Sequence, residues 1–235
     1  MSISKFQELF SIDTTESLHQ YCIFSPPRCG SWLTFDIIKS ILNTNQISFE
    51  EYSHFYHPME AKRQPLHPIQ APLRLKFFLN ELDQTNYIHK LEPNSAIHLN
   101  QKVKRQDWQK NLVLKYLNKT NAKIIFLERR NIYDQFLSWI IAHHFGYHRT
   151  VARGRITISK ELLTLMMYTM DDLKFIKARL KADYLHFYYE DIYYPPVELD
   201  HIRKPNSLPQ RKLDYITNPE LLKDFIDQHF PTLDG

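Results

Sequence analysis

The first residues whose types and order point to chemistry are Ser25-Pro26-Pro27-Arg28-Cys29-Gly30-Ser31-Trp32-Leu33. The apolar run Tyr21 to Ser25 precedes them, and Leu33, Ile37, Ile38, Ile41 and Leu42 follow at helical spacing, so the segment joins a strand to a helix. Such a joint aims the free N–H groups and positive dipole end of the helix at the loop's occupant. An anion suits that position, and Arg28 adds a cation whose fork of donors matches phosphate or sulfate. The chain has only 4 glycines, and one of them, Gly30, stands here, where the backbone must bend or approach a ligand. The same residues also make an ordinary strand-to-helix turn with a surface arginine. A nucleoside-triphosphate loop would need G-x-x-x-x-G-K-[ST], and this loop has one glycine and no lysine. Cys22 and Arg28 have the C-x5-R spacing of cysteine-dependent phosphatases, but Pro26 and Pro27 offer no N–H to a phosphate and Cys22 falls inside the strand.

A second constellation lies in Lys123 to Ser138, KIIFLERRNIYDQFLS. A buried strand ends in Arg129 and Arg130, and the helix after it carries Ser138 eight residues beyond Arg130. Eight residues is just over two helical turns, so Ser138 returns to the face on which the helix begins. Taken alone, the two arginines could equally be solvated charges at a strand end. His54 and His57 have H-x-x-H spacing, and His143, His144 and His148 cluster. With 12 histidines in the chain such proximity is expected, and no metal is assigned.

The first loop resembles the 5′-phosphosulfate loop of sulfotransferases, P-[KR]-[SC]-G-[ST]-[ST]-[WL]. Pro27, Arg28, Cys29, Gly30, Ser31 and Leu33 follow that pattern in its arginine form, while Trp32 stands where a second hydroxyl is usual. The second constellation resembles the family's 3′-phosphate element, strand-R-[ND]-P-x-[DE]-x(3)-S. Arg130 and Ser138 would be the phosphate contacts, with Asn131 and Asp134 at matching positions and Ile132 in place of proline. Tyr189-Glu190-Asp191 echoes the family's Y-E-D. The resemblance covers residues 20–43 and 123–191. It implies 3′-phosphoadenosine 5′-phosphosulfate as donor, no metal, and a late basic loop closing on the nucleotide, for which Lys204, Ser207, Arg211 and Lys212 are the candidates. It also implies a base for the acceptor's hydroxyl or amine. Glu51, then Glu50, stands where arginine-loop members hold a catalytic glutamate. Glu92, in the strand Tyr87 to Pro93, is the analogue of the histidine in the K-T-H strand of cytosolic members, with Lys90 at the lysine position. Arg28 and the loop N–H groups would stabilise charge growing on the leaving 5′-phosphate.

These residues need elements to hold them. Strands are expected at Tyr21 to Ser25, Tyr87 to Leu91, Lys123 to Leu127 and Tyr184 to Tyr189. Helices are expected from Ser31 to about Asn43, around Leu73 to Leu82, at Val103 to Leu117, from Ile132, over Glu161 to Leu180 and at Pro219 to His229. Alternation of strand and helix implies a parallel sheet flanked by helices, a three-layer α/β/α fold, which the resemblance makes P-loop-like. Residues 1–235 are expected to form a single domain, with 44–85 an irregular insertion on the substrate side. The proline-rich stretch from Tyr194 to Gln210 reads as a long loop.

Composition sets limits. Hydrophobic residues at 43% and charged residues at 24% describe a globular chain. No stretch approaches the roughly 20 apolar residues that span a bilayer, and Met1 to Ser11 lacks an apolar leader core, so a cytoplasmic protein without a membrane partner is expected. Cys22 and Cys29 fit neither a zinc site nor a disulfide framework. A net charge of +4 suits an anionic ligand without requiring nucleic acid, and the basic helix near Lys102, Lys104, Arg105 and Lys110 reads as a solvated face. The acceptor is expected to be a small molecule or carbohydrate, and Tyr52, Phe55 and Tyr56 could stack on one. A non-catalytic nucleotide-binding relative and a small-molecule kinase with an atypical phosphate loop are the alternatives.

Overall fold

The computed structural model describes residues 3–42, 48–50, 86–93, 107–145, 154–193 and 212–231. Five strands, β1 (Gln20–Phe24), β2 (Ser48–Glu50), β3 (Tyr87–Leu91), β4 (Lys123–Glu128) and β5 (Tyr184–Tyr188), form one sheet in the order β2-β3-β1-β4-β5. Every pairing is parallel. The near-continuous apolar character of β1 and β4 has its cause here, since a parallel sheet is covered on both faces.

Alternate side chains along each strand feed two cores. Tyr21 and Ile23 of β1 join Ile88, Ile125 and Leu127 on one face, under α1 (Ile3–Leu9), α2 (Ser31–Leu42) and α6 (Tyr189–Tyr193). Cys22 and Phe24 join Ile124 and Phe126 on the other, under α3 (Asp107–Leu117), α4 (Ile132–Phe145), α5 (Lys160–Lys177) and α7 (Pro219–His229). The fold is thus three-layered, α/β/α, as the alternation predicts. Local signals mark several ends: Ser159 caps α5 by accepting from the Leu162 N–H at 3.2 Å, and Pro219 opens α7.

Three elements differ from the sequence reading. Ser48–Glu50, inside the stretch expected to be irregular, is an edge strand in register with Tyr87, Ile88 and His89. Three residues are too few to show a period, and their strand state comes from pairing. Ile3–Leu9 is a helix because Phe6 and Phe10, both fully buried, dock on the sheet. Tyr189 leaves the strand expected to contain it and starts α6. The helix expected at Leu73 to Leu82, residues 103–106 of the basic helix, the rest of 44–85 apart from β2, and the loop from Tyr194 to Gln210 lie outside the described residues. Among the described residues no helix is long and apolar enough to cross a membrane.

The strand order places a topological switch at β1: the chain first runs to β2 and β3 on one side, then crosses to β4 and β5 on the other. Ligands of open α/β sheets sit beyond the strand C-termini at such a point. The turns after β1 and β4, which carry both constellations, meet there.

β3 also carries a buried histidine. His89 is 2% exposed, stacks on Tyr87 and shares a 3.3 Å hydrogen bond between Nδ1 and the Tyr116 hydroxyl. Burial pushes its pKa down to about 3, so it is neutral in the fold but charges near pH 6.5 once unfolded. The unfolded chain therefore binds the extra proton between those two values, and stability is full above pH 6.5 and falls as the pH drops toward 3. Chemical denaturation across that window should show the loss, and His89→Leu should flatten the slope by close to one proton.

Candidate functional site

Both ends of the first loop are fixed by the sheet and by α2. The Ser25 N–H donates to the Leu91 carbonyl at 3.0 Å, which ties the loop's start to the end of β3. At its far end the Gly30 carbonyl accepts from the Thr34 N–H at 2.9 Å and the Thr34 hydroxyl at 3.1 Å, opening α2. Between them Arg28 has φ 68° and Gly30 φ 81°, both left-handed. Such a conformation at a non-glycine residue costs of order 1–3 kcal/mol and persists only where neighbours enforce it. At Gly30 a Cβ would lie 2.7 Å from Tyr189 Cδ2 and 2.9 Å from Tyr193 Cε2, so a side chain there would force those rings to shift. The scarce glycine is therefore required both by its φ and by the two tyrosines of α6. Ser31 is the first residue of α2, and Arg28 is half-buried.

The cysteines take no part as nucleophiles. Cys22 and Cys29 are completely buried and unbonded to each other, and burial pushes both thiols up, far from the thiolate form. That removes the phosphatase reading of the C-x5-R spacing.

The second turn wraps the first. Asn131 caps α4, its side-chain oxygen accepting from the Asp134 N–H at 2.8 Å. Arg129, nearly buried, donates from Nη1 to the Arg28 carbonyl at 3.4 Å and lies 4.7 Å from the centre of the Tyr189 ring. It also pairs with Asp134 and, at 3.4 Å, with Glu190. Gln135, fully buried, donates from Nε2 to the Pro27 carbonyl at 2.9 Å. Asp134 continues the chain to Lys212, whose ammonium donates to the Ser138 hydroxyl at 2.8 Å. One polar path thus runs from the Arg28 carbonyl through Arg129, Asp134 and Lys212 to Ser138.

Arg130 behaves differently from its neighbour. Its guanidinium is 52% exposed, lies 4.2 Å from the centre of the Tyr188 ring, and is held by both carboxylate oxygens of Asp191, one at 2.7 Å. That pairing raises the Arg130 pKa and lowers that of Asp191. Glu190 accepts the Arg130 N–H at 3.0 Å and the Asn131 N–H at 3.3 Å, so a carboxylate occupies the entry to α4. The expectation that Arg130 and Ser138 act together finds them at one turn but engaged with different partners.

A third group lies at the end of β3. Lys90, 7% exposed, pairs with Glu92 at 2.8 Å, and its ammonium is 5.9 Å from the centre of the Trp32 ring. Trp32, in the first turn of α2, is therefore on the β3 side of the loop. Leu33 packs on the core shared by α1 and α2. The backbone of Glu50 ends β2 opposite His89, one strand farther from the loop than Glu92. Glu51, Lys204, Ser207, Arg211, His54 and His57 lie outside the described residues. Among the described residues no group of three or more His, Cys, Asp or Glu is placed to hold a metal ion.

Sequence reasoning named Arg129 only as half of a charged pair and passed over Gln135. A signal for Gln135 was present: an amide beside Phe136 and Leu137 in a helix whose buried positions are apolar apart from it and Ser138. Lys212 was one of several late basic residues, and only the tertiary structure singles it out. No protein-family model matches the chain, and no curated protein matches it.

Proposed function

We propose that the chain is a sulfotransferase that moves a sulfuryl group from 3′-phosphoadenosine 5′-phosphosulfate to a hydroxyl or amine. The observation that carries the reading is the bonding between the two anion-type turns at the switch point, Gln135 to Pro27 and Arg129 to Arg28. Two cation-bearing turns locked together suit a ligand with two separated phosphates better than a single anion. The 5′-phosphosulfate lies against Arg28 and the N–H groups from Arg28 to Ser31. The 3′-phosphate lies by Ser138 and Lys212, with Arg130 reaching it by exchanging Asp191 for the phosphate.

In the reaction the acceptor oxygen or nitrogen forms a bond to sulfur while the sulfur's bond to the bridging oxygen breaks. The electron pair leaves with the 5′-phosphate, giving adenosine 3′,5′-bisphosphate, and the acceptor's proton passes to a carboxylate. Like phosphoryl transfer, this depends on positioning and on neutralising charge where it grows. Arg28 meets the charge on the bridging oxygen. Among the described residues the candidate base is Glu92, which follows the Leu91 bonded to the start of the loop. Lys90 neutralises the sulfuryl oxygens beside it. A cytoplasmic setting, a small-molecule or carbohydrate acceptor and a donor site without metal belong to the same proposal, and the two free cysteines accord with a reducing compartment.

The test is transfer of labelled sulfate from the donor to a panel of phenols, sugars and amines, in chelator. Label in an acceptor with stoichiometric release of the bisphosphate is the expected result. Label transferred to none of the panel, with the bisphosphate still bound, would instead favour a non-catalytic nucleotide-binding relative.

A further inference from the structure

Two hydrogen bonds from the second turn decide which way the first loop's peptides face. The Pro27 carbonyl accepts from Gln135 at 2.9 Å, and the Arg28 carbonyl accepts from Arg129 at 3.4 Å. A trans peptide is planar, with its C=O and N–H pointing in opposite directions. Holding those two carbonyls toward α4 therefore turns the N–H groups of Arg28 and Cys29 away from it. On either side of Cys29 the backbone is left-handed, at Arg28 and Gly30. Left-handed residues alternating with others gather successive N–H groups into a concavity that takes an anion.

Gln135 is a costly choice for packing alone. It is 0% exposed, and its Oε1 has no hydrogen-bond partner among the described residues. An unmet buried acceptor is destabilising, and an apolar side chain of the same length would avoid it. What only the amide supplies is the donor to Pro27. Arg129 also sits where it cannot be replaced by a simple charge, because its fork reaches the Arg28 carbonyl while also pairing with Asp134 and Glu190.

We infer that Gln135, with Arg129 beside it, is a positioning residue: it fixes the Pro27 and Arg28 peptides so that the next N–H groups face the 5′-side anion. It touches no ligand. The inference rests on the proposed function only for the identity of that anion, and it assigns the pair to the 5′ side and not to the 3′-phosphate.

The experiment is an amide-resolved NMR titration of the full chain with inorganic pyrophosphate, with calorimetry of adenosine 3′,5′-bisphosphate and adenosine 5′-monophosphate alongside. In the unsubstituted protein the Arg28 and Cys29 amide protons should move downfield on saturation. Gln135→Met should weaken pyrophosphate about tenfold, the loss of one oriented donor set, and should shrink both amide shifts. Its ratio of bisphosphate to monophosphate affinity should stay unchanged, which a general loosening of the site would not allow. Arg129→Lys should give a smaller loss in the same direction. Should Gln135→Met fail to fold, Gln135→Asn, one methylene short of Pro27, carries the same expectation. Pyrophosphate binding equal to the unsubstituted protein's, a falling bisphosphate-to-monophosphate ratio, or Arg28 and Cys29 amides that pyrophosphate does not move would each overturn the positioning role. If pyrophosphate behaves as expected but the bisphosphate binds no tighter than the monophosphate, the positioning role stands and the donor assignment falls.

Discussion

Glu92→Gln should lower sulfuryl transfer by about 10²–10⁴-fold, the usual contribution of a positioned general base, while leaving bisphosphate binding unchanged. The amide is isosteric and its oxygen still accepts from the Lys90 ammonium, so the 2.8 Å contact at the end of β3 is kept with an uncharged acceptor. What is lost is the ability to take the acceptor's proton. The arrangement is specific enough to separate the candidates. Glu50→Gln changes the last residue of the edge strand β2, which β3 separates from β1. Steady-state transfer assays on Glu50→Gln, Glu51→Gln and Glu92→Gln decide the order, and normal turnover in Glu92→Gln would move the base to one of the other two.

Arg28→Ala should lower the transfer rate by about 10²–10³-fold, with a smaller loss of donor affinity, because charge on the bridging oxygen grows as the sulfuryl group departs. The backbone gives this prediction a control. Arg28 holds φ 68°, a region that glycine enters without cost. Arg28→Gly should therefore stabilise the loop relative to Arg28→Ala, yet lose the same rate. Arg28→Lys should recover part of the rate, since a point charge lacks the guanidinium's paired donors. Single-turnover rates and donor affinities measured on all three separate guanidinium from backbone. A glycine variant as active as the unsubstituted protein would show that Arg28 serves the turn and not the chemistry.

Much of this fold can be read from the chain because parallel strands buried on both faces leave plain apolar runs. Residues 87–91 and 123–127 lie within the strands observed, and the helices that follow β1 and β4 start at Ser31 and Ile132. The exceptions have one cause. Ser48–Glu50, Ile3–Leu9 and the turn of Tyr189 into a helix owe their state to partners distant in sequence, on β3 and on the α1 face of the sheet. The site divides in the same way. Gly30 and Ser31 are legible because a strand-to-helix turn needs small residues at its bend. The roles of Gln135, Arg129 and Lys212 are not, since each acts through a contact across the fold: with Pro27, with Arg28 and with Ser138. Arg130 shows the limit from the other side. Its spacing from Ser138 is right for a shared phosphate, but spacing does not reveal that Asp191, sixty-one residues on, holds it.

The identity of the donor is tested most directly by calorimetric titration in chelator. Adenosine 3′,5′-bisphosphate should bind without magnesium, and more tightly than adenosine 5′-monophosphate or ATP, because two anchored phosphates meet two cationic turns. Asp191→Asn, which loosens the hold on Arg130, should tighten the bisphosphate and leave the monophosphate unchanged. ATP bound as tightly as the bisphosphate, or bisphosphate binding that requires magnesium, would contradict the assignment.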